Sequence, residues 1–334
     1  SIDPQVRQPV QRMLGHLSMS LGDNELAAEL LAAGLSGIEP QQREDALVLA
    51  DDMVAYSDAL GFLERNAEAL TVAEQAVALR MRFAPDDPEQ QMRSLAHLTL
   101  GHVEKYGLEA CRQQAEQALA LAKRLPDPPV EIVLDIYSDL STAANFQNDR
   151  SRQLSVSREG LAFADAHQVA ASSPVRLTLL RGFVNGLMME GKATEAERVV
   201  RQALASGEKT GGFGDTSLSV LLQALGDTLQ GQGRYREALE AMEGSAREAE
   251  RAGDGPRNRA MASSNRAVLH VMVGDYPAAM TLSEQALDIL RKESVDADDV
   301  FGRTIKRAHA GILIANDRFP QAEALLQDLL ERAR

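Results

Sequence analysis

The residue types best suited to metal binding or acid-base catalysis in this chain are histidines and paired aspartates, and their spacing argues against both roles. His97 and His102 are five residues apart, which places them about 140° apart around a helix instead of on the single face that a helical zinc site needs. Three pairs of neighbouring aspartates could act as general acids and bases, and they are Asp51-Asp52, Asp86-Asp87 and Asp298-Asp299. Helix caps and solvated helix faces explain these pairs more simply.

Phosphate binding and nucleophilic catalysis also lack their sequence patterns. The glycines of the 207–214 stretch lie between helical segments rather than after a strand, and no Gly-x-x-x-x-Gly-Lys-Ser/Thr motif is present. Cys111, the only cysteine, has no second thiol for a redox or zinc pair. The sequence therefore predicts a chain that is not an enzyme, with no catalytic residue, no metal and no cofactor.

The amino-acid composition excludes further classes of function. The 334 residues are 44% hydrophobic, enough to bury a core, and 35 Lys and Arg against 49 Asp and Glu give a net charge of −14. A surface this acidic repels the phosphate backbone of nucleic acids and anionic lipids, and the sequence has no strong basic patch that would offset this repulsion. We expect no nucleic-acid partner and no membrane partner.

The free cysteine and the lack of a signal peptide favour a cytoplasmic location, and the first ten residues suggest a fragment of a longer protein.

The elements that would position any site follow from a repeat of about 42 residues. A first column of mostly small residues comprises Ala27, Ala69, Cys111, Gln153, Ala196, Ala238, Ala279 and Ala322. Seven residues later a second column comprises Gly34, Ala76, Ala118, Gly160, Ala203, Ser245, Ala286 and Leu329. The next residue forms a third, apolar column of Leu35, Val77, Leu119, Leu161, Leu204, Ala246, Leu287 and Leu330. Small residues allow two helices to approach closely, and the apolar neighbour fills the space beside them. Cys111 is accordingly interpreted as a packing residue.

Apolar spacing of three and four residues predicts helices between these columns, and one Gly, Asn or Asp breaker inside each period predicts a helix-turn-helix hairpin. The predicted fold is all-α, a right-handed α-solenoid of about eight hairpins and about sixteen helices. We expect one superhelical domain over 1–334, with repeats at 6–38, 41–84, 88–126, 129–170, 174–210, 215–253, 257–293 and 297–334.

These residues resemble tetratricopeptide repeats, which carry Gly-Asp/Asn-aromatic at the turn, then Ala and a later Ala-Leu. The seventh period has Gly274-Asp275-Tyr276, Ala279 and Ala286-Leu287. The 42-residue length is similar to that of the repeats in kinesin light chains, in sensor arms of bacterial transcription regulators and in C-terminal regions of bacterial serine/threonine kinases. The resemblance implies a concave groove that is lined by the first helix of each hairpin and binds peptides, proteins or small effectors. It does not imply catalysis.

By that geometry the residues expected to bind a ligand in the groove are Arg12, His16, Arg181, Asn185, Gln223, Asp227, Asn265 and Arg307. The same geometry adds Val54, Asp58, His102, Ser138, Asp139, Thr142 and Ser264. Arg181 and Asn185 are four residues apart and share a helix face. They resemble the Lys/Asn clamp of chaperone-adaptor repeats, with Arg in place of Lys.

Three functional hypotheses remain open. The first is a protein-protein interaction or sensor module that binds a peptide or protein segment in its groove, within a signalling or regulatory protein. The second is a sensor arm of a bacterial regulator or kinase that binds a small effector or autoinducer. The third is a self-associating scaffold, which the apolar residues near the C-terminus favour and which would make the chain a homo-oligomer.

Overall fold

A computed structural model describes residues 4–63, 65–98, 107–209, 215–251, 253, 255–292 and 300–331. These residues form sixteen α-helices and no strand, which confirms the all-α prediction. Contacts divide the chain into two compact units, residues 1–167 and 168–334. The expected single domain over 1–334 stays a prediction.

Unit 1 contains eight helices that pack in consecutive pairs. They are α1 Pro4–Ser20, α2 Asn24–Leu35, α3 Arg43–Phe62, α4 Asn66–Phe83, α5 Pro88–His97, α6 Leu108–Ala122, α7 Val130–Phe146 and α8 Arg150–Ala166. Unit 2 contains eight more, which also pack in pairs. They are α9 Pro174–Met189, α10 Ala193–Lys209, α11 Asp215–Gly231, α12 Tyr235–Arg251, α13 Pro256–Met272, α14 Tyr276–Lys292, α15 Val300–Ala315 and α16 Phe319–Glu331.

The turn inside most hairpins ends the first helix in the same way. Seven of the predicted breakers have a positive φ of 55° to 83°, and they are Gly22, Gly107, Asn148, Gly191, Gly233, Gly274 and Asp317. After six of them, the next residue donates its backbone N–H to the carbonyl five residues back at 2.8–3.0 Å, as Asp275 does to His270. This is the bond of a Schellman motif, which needs a left-handed residue at the turn. Asp23, Asp149 and Asp275 then cap the following helix with their side chains.

The small-residue columns are the places where helices touch. Every member of the first column is at most 4% exposed, including Cys111 at 1% and Gln153 at 3%. In the second column, a Cβ added to Gly34 would lie 2.6 Å from Cγ of Arg12. A methyl group does not fit there, so the close contact between α1 and α2 requires glycine.

Candidate functional site

Unit 1 contains a polar groove of about 570 Å³ that lies on the faces of α3 and α7. Its lining comes from α1, α3, α4, α5 and α7 and comprises Met19, Val54, Ser57, Asp58, Gly61, Phe62, Asn66, Ala69, Ala73, Ala96, His97, Asp135, Ser138 and Asp139. We call it the acidic groove, because Asp58, Asp135 and Asp139 lie in its walls and no described lining residue is lysine or arginine.

Helical periodicity explains how two helices supply these side chains. Val54 and Asp58 are four residues apart on α3, and Asp135 and Asp139 are four residues apart on α7. Each pair therefore lies on one helix face. Because α5 and α7 pack against each other, His97 at the end of α5 joins the same lining.

Two carboxylates in the groove are crowded by its walls although their side chains are exposed to water. Water reaches both side chains, since Asp58 and Asp135 are exposed by surface area, yet the groove walls surround them on several sides. Burial by these walls raises the pKa of Asp58 from 3.8 to about 6. The pKa of Asp135 is raised from 3.8 to about 7, first by burial and then by repulsion from Asp139, Asp58 and Glu131. A cation placed between these groups would relieve both penalties.

The structure brings together four residues that the sequence placed in the groove, namely Val54, Asp58, Ser138 and Asp139. It adds Asp135, which the sequence analysis missed although it precedes Asp139 by one helical turn. It also adds His97, considered above only as a metal ligand. Thr142 is half-buried on α7 outside this lining, and His102 lies outside the described residues.

Arg12 and His16 form an ion-pair cluster with a neighbouring hairpin. Asp52 on α3 is 7% exposed, and its two carboxylate oxygens accept from Arg12 Nε at 2.6 Å and from His16 Nε2 at 2.8 Å. Arg12 also donates to the carbonyl of Gly34 at 3.1 Å. These contacts tie α1 to α2 and α3, and they occupy much of the hydrogen-bonding capacity of both side chains.

In unit 2 the structure brings Arg181 close to Asp227. Burial raises the pKa of Asp227 to about 6, and the charge of Arg181 opposes that rise. Asn185 on α9 and Gln223 on α11 lie one helical turn from these two residues, and α9 packs against α11. We call these four residues the α9–α11 patch.

The remaining expected residues lie on α13 and α15, which also pack against each other. Asn265 is half-buried and Arg307 is exposed. Ser264 is 3% exposed, so its hydroxyl faces the interior instead of a ligand.

A second groove of unit 1, about 620 Å³, is apolar. It lies among α4, α5 and α6, and its lining includes Val77, Met81, Leu95, Leu98 and Leu121.

Among the described residues no group of three His, Cys, Asp or Glu side chains is arranged to hold a metal ion. In addition, none of the described helices is long and apolar enough to cross a membrane.

Comparison with known proteins agrees with the interpretation of the sequence as an array of repeats. Residues 216–292 match a family model described as tetratricopeptide repeat, which confirms the resemblance for the sixth and seventh hairpins, the region that carries the motif quoted above. No curated protein sequence matches the chain at a significant level.

Solved structures share the fold at low sequence identity. Aspartyl phosphate phosphatase F from Bacillus subtilis has a TM-score of 0.63 and 14% identity, over 96% of this chain and 83% of its own. NprR in complex with its cognate peptide NprX has a TM-score of 0.62 and 11% identity, over 96% and 88%. A putative kinesin light chain from Podosopora anserina has a TM-score of 0.48 and 18% identity, over 60% and 93%. The first two likenesses show that the chain shares the all-helical fold of those two proteins.

Proposed function

We propose that this chain is a sensor module that binds a peptide or an extended protein segment, and that the acidic groove of unit 1 receives it. The observation that carries the proposal is the convergence of Asp58, Asp135 and Asp139 in one groove with an apolar wall of Met19, Val54 and Phe62.

The chemistry of the groove indicates what the segment carries. Carboxylates that are partly desolvated and repel each other gain most from a Lys or Arg side chain. The apolar wall suits the aliphatic stem of that side chain or an apolar neighbour. A structural neighbour, NprR, was solved with a cognate peptide, which supports peptide binding as a use of this fold.

Fluorescein-labelled hexapeptide pools that fix one position as Lys, Arg or Gln test the proposal by anisotropy. We expect the Lys and Arg pools to bind, and the double variant Asp58→Asn/Asp135→Asn to bind at least about tenfold more weakly, which corresponds to about 1.4 kcal/mol. The control Glu29→Gln/Asp86→Asn removes two exposed charges of the same unit and should bind as the parent does. Equal binding of the Gln pool, or no loss in the double variant, contradicts the proposal.

The α9–α11 patch is proposed as a second contact for the same kind of partner. Its Arg181 can pair with a carboxylate, and Asn185 and Gln223 can hold backbone amides of an extended segment. A pull-down from host lysate with the parent and with Arg181→Glu/Arg307→Glu, read by mass spectrometry, should lose the partner in the variant while far-UV circular dichroism stays unchanged. Capture of the same proteins by both excludes these two arginines from binding.

A small effector is the second candidate, because 570 Å³ lies within the usual volume of small-ligand pockets. Cadaverine, a diamine with a lysine-like ammonium and no peptide backbone, distinguishes the two. If it displaces the best labelled peptide at comparable concentration, the backbone contributes little and the small-effector reading is correct. If it fails while the peptide binds, the peptide reading stands.

A further inference from the structure

Helix α1 carries an apolar face that the described residues of its unit leave largely exposed. Its exposed side chains are Val6, Val10, Met13, Leu14 and Leu17, together with Leu21 in the turn that follows, and Met13 is 65% and Leu17 53% exposed. At 100° per residue they fall within one stripe of about 100°. Gly15, which is buried, lies on the opposite side of α1. We call this face the α1 stripe.

In the other hairpins that the structure describes at these positions, the equivalents of Leu17, and in α15 the equivalent of Val10, are covered. Leu17 lies ten residues before the first column, and the residues ten before that column in other hairpins are Ala59, Ala143, Gly186, Thr228, Leu269 and Ile312. All six are buried. Val10 lies seventeen before the column, and its equivalent in α15, Ile305, is 1% exposed against 43% for Val10. The α1 stripe is therefore one half of a contact that the fold makes elsewhere.

The contact between α14 and α15 shows what the other half is. Ile305 on α15 packs with Ala286 and Leu290 of α14, and Leu287 lies against the same cluster. The second helix of one hairpin thus covers the first helix of the next, using residues of the second and third columns.

Helix α16 presents that covering surface without a partner in its unit. Leu330 is the third-column residue of its hairpin and is 66% exposed, whereas every other member of the column is half-buried or buried. Phe319 and Leu326 precede Leu330 by eleven and four residues on the same side of α16, at 56% and 37% exposure.

The charges of the α1 stripe and of α16 are also complementary. Helix α1 contains the exposed Arg7 and no acidic residue, and its other arginine, Arg12, is already paired with Asp52. Helix α16 contains Glu323, Asp328 and Glu331 and no basic residue. Contact between α1 and α16 brings opposite charges together, whereas contact between two α1 stripes or two α16 helices brings like charges together.

We propose that the α1 stripe receives α16 of a second copy of this chain, in the arrangement by which α15 receives α14. The interface is heterologous, so each copy uses its α1 stripe for one neighbour and its α16 for another. The inference is independent of ligand binding in the acidic groove.

Two variants test the geometry by sedimentation velocity and light scattering, up to about 100 µM protein, a range that detects micromolar association. The stripe variant is Met13→Glu/Leu17→Glu, and the α16 variant is Leu326→Glu/Leu330→Glu. The parent should associate in a concentration-dependent way, and each variant alone should be monomeric. Because each variant keeps one intact surface, an equimolar mixture should form a one-to-one dimer and nothing larger.

The control Val48→Glu/Met272→Glu adds the same charges at exposed apolar residues elsewhere and should associate as the parent does. Circular dichroism of all four proteins checks that helix content is equal. A monomeric parent overturns the proposal, and so does a dimer that survives in either variant alone, since that result means contact between identical surfaces. Absence of a dimer in the mixture also overturns it.

Discussion

Replacement of Asp135 by asparagine should stabilise the protein above neutral pH and leave its stability nearly unchanged below about pH 3, where the carboxyl is protonated in both the folded and the unfolded chain. Asparagine keeps the size of the side chain and removes the charge that burial and Asp139, Asp58 and Glu131 disfavour. Because folding raises this pKa, the folded chain holds a proton that the unfolded chain has released, between about pH 4 and 7. The parent therefore loses stability as the pH rises through that window, and the variant avoids the loss.

The magnitude follows from the shift and from the exposure of the group. A pKa raised from 3.8 to about 7 corresponds to about 4 kcal/mol if it were fully expressed. Water reaches the Asp135 carboxylate, so solvent screens most of this energy, and we expect about 1 kcal/mol. For a unit of this size that energy is a change of about 2–4 °C in Tm.

Thermal unfolding followed by circular dichroism at pH 3 and pH 8 measures the effect. Asp135→Asn should melt higher than the parent at pH 8, and the difference should nearly vanish at pH 3. Glu29→Gln, which removes an exposed charge from α2, should show no pH-dependent difference. A variant that is no more stable at pH 8, or is equally stabilised at both values, refutes the reasoning about the groove.

Four further perturbations test the packing and the backbone conformation of the hairpins. Asp52→Ala leaves Arg12 half-buried without its carboxylate partner and should cost about 2 kcal/mol, measured by urea unfolding. Ala279→Leu overfills a fully buried first-column position beside Ile312 and Leu313 and should cost about 1–3 kcal/mol, whereas Ala205→Leu at an exposed site of α10 should be nearly neutral in the same assay. Gly274→Ala places a Cβ at φ +83° and should lower Tm by several degrees, at a cost of about 1–2 kcal/mol. Gly311→Ala, in open space within α15, should raise Tm because alanine favours helix by about 1 kcal/mol over glycine.

The hairpins could be predicted because their signals are local. A left-handed residue such as Gly233 and a small residue such as Ala238 act within a few positions of themselves, and the turn and the buried column both lie where the sequence placed them. The faces of single helices were predictable for the same reason, which is why Asp58 and Asp139 were expected in a groove.

The partners of those residues could not be predicted, because they lie nearly two repeats away. Asp58 meets Asp135 only because the hairpins stack with a particular offset, and no local pattern records that offset. The pairing of Arg12 and His16 with Asp52 is of the same kind. An arginine on the expected face of a helix can serve a ligand or a neighbouring helix, and only the three-dimensional contact distinguishes the two uses.

The distance from the left-handed turn residue to the first column is five residues in six of the hairpins, and this fixed spacing makes the hairpin a unit of inheritance. Gly22 precedes Ala27 by five residues, and Gly274 precedes Ala279 by the same interval, while the segments between hairpins differ in sequence and length. Recombination within those segments adds or removes a whole hairpin and disturbs neither its turn nor its buried column. A gene of this kind can therefore lengthen or shorten its product by single hairpins, and each hairpin can then diverge in the residues that it presents to a ligand.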